Sequence, residues 1–232
     1  AATQSGSPVR GPIDQAILER TGARVLWWQS NGTTVMVSKG VPLDTPAAIA
    51  GKVVRVSTAR EGEFVRICGG IPRIISGAAH YGAYETGQVV AGSSTVSAVA
   101  VRKFWEVTDF VTFTRHRASE FVVTINERLW QSMPTEHRRV VESAAREAEA
   151  AIRERIAAIE REAHALAEKK GMKLVELTTA DCDLWKYCAA PLLEEYLDRS
   201  GPLGAQVMAG YRQLLVEVYR TNLTNPGQVR RH

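Results

Sequence analysis

Among the residues able to do chemistry, Arg55 stands out as a lone guanidinium in the β-branched run Lys52-Val53-Val54-Arg55-Val56-Ser57. A charge carried into a buried strand is costly unless something pairs with it. Thr58 and Glu61 have the spacing of a capping box, so a helix is expected to begin directly after the strand. Such a helix start offers free N–H groups and partial positive charge to an anion. The planar fork of an arginine can hold both oxygens of one carboxylate. A second helix start, rich in hydroxyls, is expected at Gly92-Ser93-Ser94-Thr95. In a parallel sheet both turns open along the edge where ligands settle. Arg55, Ser94 and Thr95 could therefore converge on one small anion. Ser57 and Ser76 end the strands expected at 52–57 and 73–76 and are counted with them. The same residues fit a plainer alternative, in which Arg55 pairs with a nearby acid and Ser94 only caps a helix. The residues alone leave both open.

Other chemistries lack their residues. No phosphate loop, no dinucleotide fingerprint, no nucleophile elbow and no zinc-protease motif occurs, and the five histidines are scattered. No catalytic residue, metal site or cofactor is expected. His116, in Thr-Arg-His-Arg, has no nucleophile at a recognisable spacing. Cys68, Cys182 and Cys188 are too few for a disulfide framework, and a structural, partly buried role is expected for each.

The elements that must position these residues follow from periodicity. A short helix is expected at 12–20, strands at 23–28 and 33–38 around a Gln-Ser-Asn-Gly turn, and then strands alternating with helices: 52–57, 59–68, 73–76, 78–86, 88–91, 96–105 and 110–114. That alternation argues for βαβ units and a parallel sheet. From Pro134 to Lys170 apolar residues recur every three or four positions on one face. This helix would be about 50 Å long and is read as a strut lying across two lobes rather than a coiled-coil strand. A strand at 173–177 and helices at 180–200 and 204–219 complete the pattern.

With 232 residues, 45% hydrophobic and 23% charged, the chain reads as an ordinary globular protein with no stretch able to span a membrane. A net charge of +4 raises nucleic acid as a partner, but the most charged stretch, 136–170, balances eight basic against eight acidic residues. No nucleic-acid partner is expected. The chain opens on Ala-Ala-Thr-Gln-Ser without an initiator Met, so a leader has been removed or the chain is a fragment.

Several stretches, in this order and spacing, resemble the DctP family of TRAP-transporter solute receptors from Gly11 to about Leu215. They are Thr45-Pro46 through Gly51-Lys-Val-Val-Arg55-Val, Cys68-Gly-Gly-Ile-Pro72, Tyr81 to Gly87, Arg102-Lys-Phe-Trp-Glu-Val-Thr108, and Asn126 to Pro134. The resemblance implies an α/β, two-lobed periplasmic binding protein fold with a long helix spanning both lobes and the first lobe incomplete. On that reading residues 1–44 are a remnant of lobe I, 45–117 are lobe II, 118–133 return to lobe I, 134–171 are the long helix and 172–232 pack on the lobes. The implied function is capture of a small organic carboxylate in an interlobe cleft in the periplasm. Delivery is to a membrane permease of a small and a large subunit. The carboxylate-gripping arginine of the family falls on Arg55.

The departures are informative. Thr34 stands where many members carry a second arginine, Ser94 and Thr95 stand in place of an asparagine, and Gly77 replaces an aromatic. A smaller or more apolar monocarboxylate is therefore expected. Trp28 and Gln29 lie in the segment that approaches the cleft. The family's usual opening βα units are missing, so exposed apolar surface and poor solubility are expected for residues 1–232 alone. Two other functions fit less well. A small α/β enzyme acting on a carboxylate needs an acid or base near Arg55, where only His80 or His116 offers itself. A ligand-sensing domain needs an attached signalling segment.

Overall fold

The computed structural model describes residues 3–224. Among these residues sixteen elements follow one another and divide into two compact units, one formed by 3–28, 122–149 and 194–224, the other by 29–121 and 150–193.

The second unit is built on a mixed sheet. Its strands are β1 (Ala23–Ser38), β2 (Val53–Val56), β3 (Ile71–Ile74), β4 (Ala91–Thr95), β5 (Phe110–Phe113) and β7 (Lys173–Glu176), in the order β3-β2-β4-β1-β5-β7, while β6 (Ala118–Asn126) also pairs with β1. β3, β2 and β4 are parallel, as the βαβ alternation requires. β1 enters antiparallel between β4 and β5, so the sheet is mixed where a parallel one was expected. Periodicity reports strand and helix but not which strand lies beside which.

Side chains leave a strand on alternate faces, and this unit follows that rule closely. Val35 and Val37 of β1 enter one apolar cluster with Tyr84, Val96, Val99, Phe104 and Ala163, while Met36 enters the other with Val54, Val56, Val65 and Trp185. The first face is therefore covered by α3 (His80–Glu85), α4 (Val96–Val101) and the far part of α6 (Thr135–Lys169). The second is covered by α2 (Ala59–Ile67) and the start of α7 (Thr179–Thr224). A disulfide joins Cys68, at the end of α2, to Cys188 of α7.

In the other unit, α1 (Arg10–Thr21) ends at Gly22, whose φ of +67° places it in the left-handed region that favours glycine. Arg10 is buried and pairs through Nη1 with both oxygens of the buried Glu149 at 2.8 Å. Trp28 donates its indole N–H to Asp14 at 2.7 Å, and Arg24 grips Glu127 with two nitrogens at 2.7 and 2.8 Å. α5 (Glu127–Ser132) leads into α6, whose 35 residues match the expected long helix.

Two further differences from the sequence expectations have local causes. β1 is one strand of 16 residues rather than two. The Gln-Ser-Asn-Gly segment is kept extended although Gly32 sits at φ +85°, and the neighbouring Thr33 N–H is held by Glu160 at 2.6 Å. β4 begins three residues later than expected and runs through the hydroxyl-rich segment. The helices expected at 180–200 and 204–219 are both present within α7, which breaks between them at Gly201 (φ 58°, ψ −150°), just before Pro202.

Candidate functional site

Arg55 leaves β2 on the face that carries α3 and α4, because its neighbours Val54 and Val56 point to the other. It is 7% exposed, and its bonds are to backbone: Nε donates to the Ile75 carbonyl and Nη1 to the Ser93 carbonyl, both at 2.8 Å. Nη2 makes no hydrogen bond among the described residues. Burial pulls the guanidinium below its ordinary pKa. The plainer alternative, an arginine consumed by an ion pair, is not what the side chain does.

Gly92 stands opposite Arg55 in the β2–β4 pairing. A Cβ there would lie 2.6 Å from His80 Nε2, 2.9 Å from the Tyr84 hydroxyl and 3.0 Å from Arg55 Cβ. A glycine is needed because three side chains crowd one point of backbone. His80 is fully buried, stacked on Tyr84 and edge-on to Phe104. Neither ring nitrogen has a partner among the described residues. Burial, together with Arg55 and Arg102, pushes its pKa down to about 3, so it is neutral.

Ser94 lies on the same face as Arg55, across from Val35, buried and with its hydroxyl unpartnered among the described residues. It is not the helix cap. Thr95 is, accepting from the Ala98 N–H at 3.3 Å. Ser93 points to the opposite face, where its hydroxyl lies 3.5 Å from His116 Nε2. Thr34 is buried and donates its hydroxyl to the Arg117 carbonyl. Ser76 accepts from the Ala79 N–H at 3.4 Å. Gln29 is half-buried at the start of the second unit, whereas Trp28 is engaged with Asp14 in the first.

Half of the expected capping box forms: the Glu61 N–H donates to the Thr58 hydroxyl at 3.2 Å, while the Glu61 carboxylate reaches the N–H of Ser57 rather than that of Thr58. The Glu61 carboxylate does more than cap. It accepts from the Ser57 N–H at 2.6 Å and the Ser57 hydroxyl at 2.7 Å, and Arg117 Nη2 lies 3.2 Å from its other oxygen. Burial would raise this carboxyl, but His116, the Ser57 N–H and the Ser93 and Ser57 hydroxyls outweigh it and hold the group well below the usual carboxylate range. Sequence reasoning read Glu61 only as a cap. Nothing local shows that an acid in a first helical turn will be buried.

Beyond Glu61, on the α2/α7 face, a cavity of about 510 Å³ opens between α2, the Thr114–Arg117 segment and α7. Phe64 stacks on His116 with ring centres 5.3 Å apart and meets Trp185 at 5.7 Å. Arg55 and Ser94 do not line this cavity. Among the described residues no group of three or more potential metal ligands occurs, and no helix is long and apolar enough to cross a membrane.

Known proteins share this architecture. The periplasmic ectoine-binding protein of the TeaABC TRAP transporter of Halomonas elongata superposes with a TM-score of 0.83 at 18% identity, over 89% of this chain and 67% of that one. DctP7 of Bordetella pertussis, an extracytoplasmic solute receptor binding pyroglutamic acid, gives 0.83 at 20% identity, over 88% and 67%. In sequence, the C4-dicarboxylate-binding periplasmic protein DctP of Rhodobacter capsulatus is 26% identical over 204 residues, covering 86% of this chain and 60% of the relative. The 2,3-diketo-L-gulonate-binding periplasmic protein YiaO of Escherichia coli is 28% identical over 135 residues, 58% of this chain and 41% of its own length. The chain thus spans less than two thirds of these two curated relatives. The family description "Bacterial extracellular solute-binding protein, family 7" (DctP) matches residues 7–200, and the chain belongs to that family.

Proposed function

We propose that the chain is part of an extracytoplasmic receptor that captures a small organic carboxylate on Arg55 and hands it to the small and large membrane subunits of a TRAP transporter. One observation carries the reading: a buried guanidinium held in place by two backbone carbonyls, with Nη2 free of any hydrogen bond among the described residues. Backbone carbonyls orient the fork without neutralising its charge, and an arriving carboxylate does both. Ser94, on the same face with an unpartnered hydroxyl, is the second contact. Ser57, Thr95 and Ser76 already engage their hydroxyls in local bonds at strand ends, and Thr34, within β1, donates its own to the Arg117 carbonyl. Gln29 and Trp28 belong to the reading through the family resemblance alone. With Arg55 as the cation assigned to the ligand, and Thr34 where many family members carry a second arginine, the reading favours a monocarboxylate over a dicarboxylate.

The role is that of a receptor rather than a catalyst. The buried histidine beside Arg55 is held neutral by its surroundings and walled in by Tyr84 and Phe104, which makes it a poor proton carrier. A periplasmic location is supported by the disulfide between Cys68 and Cys188, since such bonds persist in oxidising compartments.

Calorimetric titration with a panel of small mono- and dicarboxylates, on the longest natural chain containing these residues, tests the site. Arg55→Ala is expected to weaken the best acid by on the order of a hundredfold or more. Arg55→Lys should recover only part of that, because the bidentate geometry is lost. Equal affinity in wild type and Arg55→Ala would remove the assignment.

A further inference from the structure

The cavity on the α2/α7 face has no part in the function proposed above, and it has the features of a binding site. It lies on the side of the sheet opposite Arg55. Met36, Val54, Val56 and Trp185 belong to that side, whereas Arg55 points to the other. Ser93 and His116, 3.5 Å apart, form the partition with Glu61. We propose that this cavity is a second ligand site, for an amphipathic organic anion with a flat aromatic or extended apolar body.

The walls specify the body of that ligand. Phe64 and Trp185 present ring surface, and the one polar atom of Trp185 is already spent on the Asp44 carbonyl at 2.9 Å. The volume of about 510 Å³ lies within the range of small-molecule pockets. The rim specifies the charge. Arg60, Arg115, Arg117 and Lys186 line the cavity against a single acid, Glu61. The carboxylates that pair with the other cations, Glu63, Glu176 and Asp183, lie outside its lining. Glu61 accepts from the Ser57 N–H and hydroxyl through Oε2, and its Oε1, without a hydrogen bond among the described residues, lies 3.2 Å from Arg117 Nη2. Arg117 spends only Nη2 on Glu61 and Ser57, and its remaining nitrogens make no hydrogen bond among the described residues. The two helical walls are fixed to each other by the Cys68–Cys188 bond, one residue from the lining residue Ala189. A covalently braced pocket with aromatic walls and a cationic rim is preorganised for an anion of this kind.

Cys182 lines the cavity and is the one cysteine outside the disulfide, so it reports occupancy. The probe is 2-naphthoate, with the neutral 2-naphthamide as control. Calorimetry should show 2-naphthoate binding, and at ten times its Kd modification of Cys182 by N-ethylmaleimide should slow by about tenfold. The amide should bind roughly tenfold more weakly. Ala189→Phe, which fills the space, should abolish both effects. Arg117→Gln should weaken the acid but not the amide, and provides the test if Ala189→Phe does not fold. Arg55→Ala should change nothing here, whatever it does to the carboxylate panel. The proposal is overturned if wild type neither binds nor protects, if it binds without protecting Cys182, or if Arg55→Ala removes the protection.

Discussion

Arg55 is held by carbonyls rather than by an acid, and the residues around it are arranged to keep it so. Gly92 lets His80, Tyr84 and Arg55 meet at one point of backbone. Gly92→Ala should therefore push Arg55 aside, lowering stability by about 1–3 kcal/mol and weakening carboxylate binding together; thermal melts and titrations of the variant read both, and an unchanged melt refutes the packing. His80 gives a pH signature. Its folded pKa, about 3, lies below the ordinary histidine value, so the unfolded chain takes up the proton first. The stability this represents is present above about pH 6.5 and is lost as pH falls toward 3. Between pH 7 and pH 4 the loss should be on the order of 2–3 kcal/mol, and His80→Phe should flatten that part of the profile in denaturant melts. If the variant shows the same acid slope, His80 is not its source. Arg55 was legible in the sequence because a cation among valines violates the pattern of a buried strand. Glu61 was not, because its capping role fully accounts for its position along the chain while its burial depends on Ser57 and Arg117.

At the level of elements, the strands at 33–38 and 52–57 were readable from their β-branched runs, and the sheet owes its two apolar faces to the alternation of their side chains. The partner of each strand was not. β1 looks like two strands because a glycine-containing turn signal interrupts it, yet Glu160 of α6 holds Thr33 and the strand continues past Gly32. The hydroxyls of β4 look like a helix start because serine and threonine favour caps, yet only Thr95 serves as one. The Cys68–Cys188 bond joins residues 120 apart, and no local pattern announces a pairing that only the docking of α7 on α2 creates. Its removal by Cys68→Ser, or by reduction, should cost about 2–4 kcal/mol. It should also loosen the cavity, so that Cys182 reacts faster with maleimide. A variant that melts as the wild type does, with unchanged Cys182 reactivity, contradicts the bracing role.

For the whole molecule, family membership, a receptor-like fold and an uncommitted arginine on a strand point the same way. The family was recognisable from the ordered run of short motifs, each weak alone, because their spacing follows the order of the strands and helices that carry them. The ligand itself is proposed only as chemistry, an acid for the Arg55 guanidinium with the Ser94 hydroxyl on the same face. The account stands or falls on where a bound acid places its carboxylate. A crystal structure of the longest natural chain with its tightest-binding organic acid measures this directly. The account predicts carboxylate oxygens about 2.7–2.9 Å from the Arg55 guanidinium, with Ile75 and Ser93 still holding its other side. An acid bound elsewhere, with Arg55 touching only those two carbonyls, would contradict it.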